Sequence, residues 1–354
     1  MTTRLLNPSE LPILDHLHNP FEFLEGSKVK DHHDWSKRKE ELKSLIQHYQ
    51  YGFFPESPIV AAVRSGNTLT INLELGERKA AFDATISFPE NQDGPFPVVI
   101  HTGQLDESVF HPRGYALIYF TPKDVALDDK SKREGAFYQL YPNTKAGNLV
   151  AWGWGYQRVI DALEAIPEID KDQIVITGHS RFGKSALVGG IFDERVAITV
   201  PASSGLVGAG NYRYFYENEG ANEKIENIVG FAPHWFTELF GEFVSEPRRL
   251  PFDQHEVLSL IAPRGLLLVE GTEDYWCNPR GTALSFTAAK KVFDFLGVSK
   301  NVAINYRPGD HPMKQEDFIA ILDFADFYFQ RKEVDRQFHS HPYKIETKAI
   351  PWIK

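Results

Sequence analysis

Cysteine is almost missing from this chain. Cys277 is the only one in 354 residues, so no intramolecular disulfide can form and the fold must be held by its core. Such usage suits a reducing compartment. Positive charge is also in short supply: 38 Lys and Arg face 48 Asp and Glu, the formal net charge is −10, and no basic run offsets it. Nucleic acid and an anionic membrane surface are therefore not expected partners. No stretch approaches the roughly 18 consecutive apolar residues of a membrane span. The opening residues lack an apolar core and a small-residue cleavage site, so no export signal is expected there. Repeats, low-complexity segments and linkers rich in Pro, Gly or Ser are absent too. What remains is 42% hydrophobic and 13% aromatic, enough for one large core. The expectation is a single α/β domain over 1–354, with 1–17 and 331–354 as peripheral segments.

The order of elements carries the fold class. Residues 35–49 have helical spacing (Leu42, Leu45, Ile46, Tyr49) and end at Gly52. Residues 68–75 alternate apolar and polar, turn at Gly76, and resume over 80–88, the pattern of an antiparallel hairpin. Beyond it the alternation stops. Continuous apolar runs at 96–100 and 115–120 suit strands covered on both faces. A helix over 149–166 precedes a strand at 174–177, and the pattern repeats: strands at 196–200, 265–269 and 302–306 alternate with helices near 183–191, 282–296 and 315–330. This is βαβ alternation feeding a mostly parallel sheet. The tail from Arg331 is irregular, closing with Ile350–Ile353 over the body.

The run IVITGHSRFGKSAL, from Ile174 to Leu187, reads as a strand that stops, exposes Ser180 and restarts as a helix. A serine at such a turn has its hydroxyl exposed and the next backbone N–H aimed at a developing oxyanion. The usual elbow is G-x-S-x-G; here the second glycine comes one place late, as Gly178-x-Ser180-x-x-Gly183. The competing reading is a serine N-cap on an ordinary helix.

A serine nucleophile needs a base, and the base needs an anion to set its tautomer. On a parallel sheet both come from loops after later strands, at the same edge. Of the 13 histidines, His311 alone sits in a turn cluster (RPGDHP, 307–312) between a last strand and a last helix. His32, His33, His339 and His341 read as surface residues rather than metal ligands, because no carboxylate or cysteine partners accompany them. His179 and His234 are expected to be packed or to face substrate, and His255 to be structural. The strand at 265–269 leads into EGTEDYW (270–276), which puts a carboxylate third in the order Ser, acid, His. Asp274 is the first choice for that acid and Glu273 the next.

At this point the chain resembles the glucuronoyl esterases of carbohydrate esterase family 15, whose elbow has the form G-C/H-S-R-x-G-K. Gly178, Ser180, Arg181, Gly183 and Lys184 match it. Matches also cover NPFEFLEG (19–26), YGFFP (51–55), WGWGYQRVIDAL (152–163), DERVA (193–197), PHWF (233–236), LPFDQH (250–255) and LIAPR (260–264). The resemblance implies an α/β-hydrolase fold, a three-layer sandwich around the sheet, and cleavage without metal or cofactor of esters joining 4-O-methyl-glucuronic acid of xylan to alcohols of lignin. It makes Ser180 the nucleophile, His311 the base, Arg181 a backbone and side-chain donor to the oxyanion, and Lys184 and Trp276 contacts of the sugar. A guanidinium beside an anionic intermediate supplies charge where it develops. Lys184 lies one helical turn after the serine and is expected to face the same cleft. A cation there stands at the unfavourable end of the helix dipole, which argues for a functional reason.

The sequence departs from the family in three places. Many fungal members carry the acid as a glutamate in PQESG; here the segment is Pro201, Ala202, Ser203, Ser204 and Gly205, and serine cannot supply the charge. Some bacterial members place an aspartate where Asp274 stands. A glutamate that recognises the uronate in fungal members aligns with Phe231, and a neighbouring glutamine with Glu223. The fungal cysteine framework is missing. The reading is a monomeric serine carboxylesterase acting on glucuronate esters of glucuronoxylan or lignin–carbohydrate linkages. An acetyl-xylan or other small carbohydrate ester hydrolase is the first alternative, and a non-catalytic sugar-binding relative the second.

Overall fold

The computed structural model describes residues 5–103, 105–216, 218 and 220–353. Helix α1 (His32–Ile46), capped by the Asp31 carboxylate on Asp34 N–H, leads through a π turn at Gln47–Tyr51 to Gly52. Gly52 has φ 85°, and a Cβ there would lie 2.4 Å from Ala146 Cα, so the turn requires glycine. An antiparallel meander follows: β1 (Ile59–Ser65), β2 (Thr68–Leu75) and β3 (Arg78–Ser87). The chain then runs through β4 (Phe96–His101), α2 (Glu107–Phe110), β5 (Ala116–Phe120), α3 (Pro122–Val125), α4 (Ala136–Leu140), α5 (Asn148–Ala162), β6 (Ile169–His179) and α6 (Arg181–Phe192). It ends with β7 (Ile198–Ala202), α7 (Ile225–Phe231), α8 (Gln254–Ser259), β8 (Gly265–Gly271), α9 (Pro279–Phe295), β9 (Val302–Arg307) and α10 (Gln315–Tyr328).

The nine strands form one sheet in the order β1-β2-β3-β5-β4-β6-β7-β8-β9. β3 pairs antiparallel with β5, and every pair from β5 to β9 is parallel. Side-chain alternation sorts the strand residues onto two faces. Val98, Ile100, Ile174, Ile176, Leu266, Leu268 and Ile304 pack with α1, α5, α6, α8 and α9. Val99, Val175, Leu267, Val269 and Ala303 pack with Phe110 of α2 and Leu322 and Phe324 of α10. The result is the three-layer α/β-hydrolase sandwich. Both strand faces being covered explains the continuous apolar runs of β4 to β9.

Several boundaries differ from the sequence reading. β1 escapes it because, as an edge strand, β1 has no buried face, and Ile59 and Val63 stay exposed. β6 begins at Ile169, five residues before its apolar run, where a register shift against β4 admits polar residues. α5 stops at Ala162 and tightens into a single 3₁₀ turn. Near the two ends of the described chain, Leu17 N–H donates to Ala349 O at 2.9 Å and Trp352 Nε1 donates to Leu17 O at 2.9 Å. Leu17, Ile350 and Leu284 of α9 form a small separate cluster beneath them. Among the described residues no helix is long and apolar enough to cross a membrane.

Candidate active site

Ser180 joins β6 to α6 with φ 58° and ψ −124°, a left-handed conformation that costs an L-residue on the order of 1–3 kcal/mol. The surroundings that enforce it explain the late glycine. A Cβ on Gly178 would lie 2.2 Å from Phe182 O, and one on Gly183 would lie 2.8 Å from Ala202 O and 3.0 Å from Gly178 O. The elbow is thus closed by α6 crossing directly over Gly178 and pressing Gly183 against β7. Ser180 N–H donates to Ala202 O at 2.9 Å, tying the turn to that strand. Arg181 opens α6, so its backbone N–H belongs to the first turn, which has no intrahelical acceptor.

His311 stands in the loop after β9, held from two sides. Arg307 binds Asp317 through Nε at 2.6 Å and the carbonyls of Asp310 and Pro312 through Nη2 at 2.9 and 2.5 Å. From the elbow, His179 Nε2–H donates to His311 O at 2.8 Å, and the two rings lie 4.4 Å apart. Burial lowers the His179 pKa, which favours the neutral ring that this bond uses. The loops after β8 and β9 are laced together by Thr272 N–H to Arg307 O and Glu273 N–H to Gly309 O, both 2.9 Å.

That lacing places the two candidate acids differently. Asp274 is 4% exposed and its Oδ2 accepts from His311 Nδ1 at 2.7 Å, whereas Glu273 is exposed. With Nδ1 committed to Asp274, Nε2 is the nitrogen left for proton relay. Ser203 is buried with φ 41°; its N–H binds Val269 O at 2.8 Å and its carbonyl accepts from the Cys277 thiol at 3.2 Å. Cys277 Sγ also lies 3.5 Å from His311 Nδ1. Burial pushes that thiol's pKa up, so it stays protonated. Asp274, Cys277 and His311 are the one group among the described residues with three metal-capable atoms within 4.8 Å of one another, and two of those atoms are already hydrogen-bonded together.

The remaining candidates lie on two sides of the elbow. The Arg181 side chain is half-exposed, and its Nη1 donates to Asp128 Oδ2 at 2.5 Å. Asp128 Oδ1 also accepts from Trp235 Nε1 at 2.7 Å and His234 Nε2 at 2.8 Å. Burial opposes ionisation of Asp128, but the His234 and Trp235 hydrogen bonds and the Arg181 charge outweigh it and hold the carboxyl below its usual range. Lys184 differs from the expectation of an open cleft: it is 3% exposed, its ammonium bound to Ser204 O at 2.7 Å and Glu223 Oε2 at 2.9 Å. Glu223 N–H donates to Trp276 O at 2.8 Å, so one wall connects Lys184, Glu223 and Trp276, and the Trp276 ring is 42% exposed. Phe231 is also exposed, its ring edge-on to Trp235 at 5.6 Å. His255 is buried and donates to His18 O at 2.9 Å, away from this constellation.

Sequence reasoning missed Asp128. It sits in a polar loop after α3 with no motif around it, and only the fold brings it to Arg181.

A family model described as "Glucuronyl esterase, fungi" matches residues 71–297. The 4-O-methyl-glucuronoyl methylesterase of Hypocrea jecorina (strain QM6a) is 38% identical over 81% of this chain and 63% of its own length. That of Podospora anserina is 36% identical over 82% and 62%. The chain therefore spans somewhat under two thirds of these relatives. Among solved structures, a carbohydrate esterase family 15 glucuronoyl esterase from Caldicellulosiruptor kristjansonii superposes with TM-score 0.90 at 40% identity, covering 96% of this chain and 97% of that one. The glucuronoyl esterase catalytic domain from Hypocrea jecorina gives 0.89 at 30% identity over 100% and 98%. On the elbow, the hydrolase sheet and these matches together, the chain belongs to the glucuronoyl esterases of carbohydrate esterase family 15.

Proposed function

We propose that this chain is a serine carboxylesterase that hydrolyses esters of D-glucuronic acid or its 4-O-methyl ether through an acyl-enzyme. The observation that carries the reading is Ser180 on a strained, glycine-closed elbow beside a histidine whose Nδ1 is bound at 2.7 Å by a buried aspartate. A relative from Sporotrichum thermophile has been solved, as its serine-to-alanine mutant, in complex with methyl 4-O-methyl-β-D-glucopyranuronate, which supports the same substrate class.

In this mechanism Ser180 Oγ attacks the C6 carbonyl carbon as His311 Nε2 takes its proton. Asp274 stabilises the imidazolium, and the Arg181 N–H with its guanidinium meets the oxyanion. Collapse breaks the bond to the alcohol oxygen, which receives the proton from His311. Water, deprotonated by His311, then cleaves the acyl-serine and regenerates the enzyme. Trp276 offers an exposed ring to the sugar, while Lys184 and Glu223 act as a charge-matched floor behind it. The reading treats 1–354 as one catalytic domain working as a monomer on glucuronoxylan or lignin–carbohydrate esters, with 1–17 and 331–354 peripheral. No metal or cofactor enters any step.

An acetyl-xylan esterase has the same triad but no use for the Lys184–Glu223 wall. A non-catalytic sugar-binding relative is disfavoured by the intact Asp274–His311 pair. Hydrolysis of benzyl glucuronate beside 4-nitrophenyl acetate, for the parent and Ser180→Ala, separates the three. The proposal expects uronate preference that the mutation abolishes. Activity on acetate alone, or sugar binding without turnover by the parent, refutes it.

A further inference from the structure

Arg181 carries the oxyanion role in the esterase reading, yet its own side chain is loosely held. It is half-exposed, begins α6 and hangs on a long flexible stem, so an unanchored guanidinium would sample many positions around the elbow. The fold supplies one fixed partner. Asp128 Oδ2 accepts from Arg181 Nη1 at 2.5 Å, and Asp128 is held in place by groups other than Arg181. Its second oxygen, Oδ1, accepts from Trp235 Nε1 at 2.7 Å and from His234 Nε2 at 2.8 Å. The loop before it is pinned by α5: Trp152 Nε1 donates to Ala126 O and Asn148 Nδ2 donates to Leu127 O, both at 2.8 Å. The same Trp152 ring lies edge-on to Trp235 at 6.0 Å and to Phe182 at 5.2 Å. Phe182 follows Arg181 on the elbow helix, so these contacts close into a ring that starts and ends at the oxyanion donor.

We infer that Asp128 is a positioning residue for this reaction: it holds the Arg181 guanidinium where charge develops, without touching the substrate itself. The inference rests on the esterase reading. A guanidinium has five N–H donors, and Asp128 engages it through Nη1, which leaves others for the oxyanion. The division of the carboxylate matters. Oδ1 bears the donors from Trp235 and His234 and Oδ2 the cation, so the direction of Oδ2 is set before Arg181 meets it. A donor ordered in advance needs no reorganisation when the tetrahedral intermediate forms. Two effects compete, because Asp128 orders the guanidinium and also offsets part of its charge. The pair is partly open to water, with Arg181 50% and Asp128 23% exposed, so solvent screens the charge effect and the ordering dominates.

The test is a double-mutant cycle over Asp128→Ala and Arg181→Ala, read as kcat and KM on benzyl glucuronate, with melting curves for each variant. Asp128→Ala is expected to lower kcat about tenfold to thirtyfold, the scale of the rotamer freedom returned to the guanidinium, and to leave KM within about twofold. In the Arg181→Ala background the same substitution should change kcat by less than about twofold. Asp128→Asn serves as a second, less disruptive variant. It leaves an oxygen to accept from Trp235 and His234 but turns an amide N–H towards Arg181, so the loop keeps its bonds, the guanidinium is repelled, and kcat should fall similarly. Equal losses in both backgrounds overturn the inference by making Asp128 a structural residue. A rise in KM in place of the fall in kcat overturns it by making Asp128 a sugar contact. A faster Asp128→Ala enzyme overturns it as well, because the carboxylate would then be restraining the guanidinium's charge. A parent without turnover is a different result, and it overturns the esterase reading on which the inference rests.

Discussion

Asp274→Asn is the sharpest test of the catalytic geometry. The substitution keeps side-chain volume, so the loop after β8 retains its shape, but it removes the charge 2.7 Å from His311 Nδ1. Two losses follow. The imidazolium formed during acylation loses its counter-charge, worth about 4 kcal/mol for unit charges some 4 Å apart at an effective dielectric of 20. The Asn amide also donates where the carboxylate accepted, which pushes the imidazole proton onto Nε2 and leaves Ser180 facing a donor rather than a base. Together these predict a fall in kcat of about 10³- to 10⁴-fold. Ser203→Ala, at the position where many fungal relatives place the acid, touches neither His311 nor a charge and should cost less than about threefold by the same arithmetic. Steady-state hydrolysis of benzyl glucuronate by both variants, with melting curves to confirm folding, reads the difference. Comparable losses, or a folded Asp274→Asn enzyme within tenfold of the parent, would refute the reasoning.

Other consequences follow from the packing. Gly183→Ala puts a Cβ 2.8 Å from Ala202 O. It should cost about 1–3 kcal/mol of stability in denaturant titrations, and an unchanged midpoint would show that the late glycine is dispensable. Lys184→Met strands the buried Glu223 carboxylate and should cost about 3–5 kcal/mol, whereas Lys184→Met with Glu223→Leu should cost distinctly less than the two single changes summed. Additive losses in that cycle would show that the two charges do not depend on each other. Burial pushes the His101 pKa down to about 4 from 6.5. The folded state therefore binds fewer protons than the unfolded one. This contribution to stability is present above pH 6.5 and is lost as pH falls through the window down to about 4, by roughly 3 kcal/mol in all. His101→Gln should flatten that part of the stability–pH curve, and an identical slope in both proteins would count against it.

The alternation of β4, β5, α5, β6, α6, β7, β8, α9, β9 and α10 was legible because both faces of these strands are covered and their covered stretches are apolar, whereas the short helices α2, α3, α4, α7 and α8 were not. β1 was not, since an edge strand with no buried face looks like a loop. Ser180 and His311 stood out for a local reason: a strand ending in Gly178 and a turn cluster at 307–312 are written within a few residues. The irregular glycine spacing was visible too, but its cause, α6 pressed onto Ala202 of β7, belongs to the packing.

The sequence by itself thus determined the order of the main strands and helices and marked Ser180, His311 and a short list of carboxylates as candidates, because these depend on periodicity and turn chemistry inside short windows. The tertiary structure alone set Asp274 rather than Glu273 against His311, buried Lys184 against Glu223, and brought Asp128 to Arg181 across 53 positions of chain. Those pairings depend on which strand edges the fold sets side by side. No window of sequence encodes that, because the partners approach only when the parallel sheet closes its order.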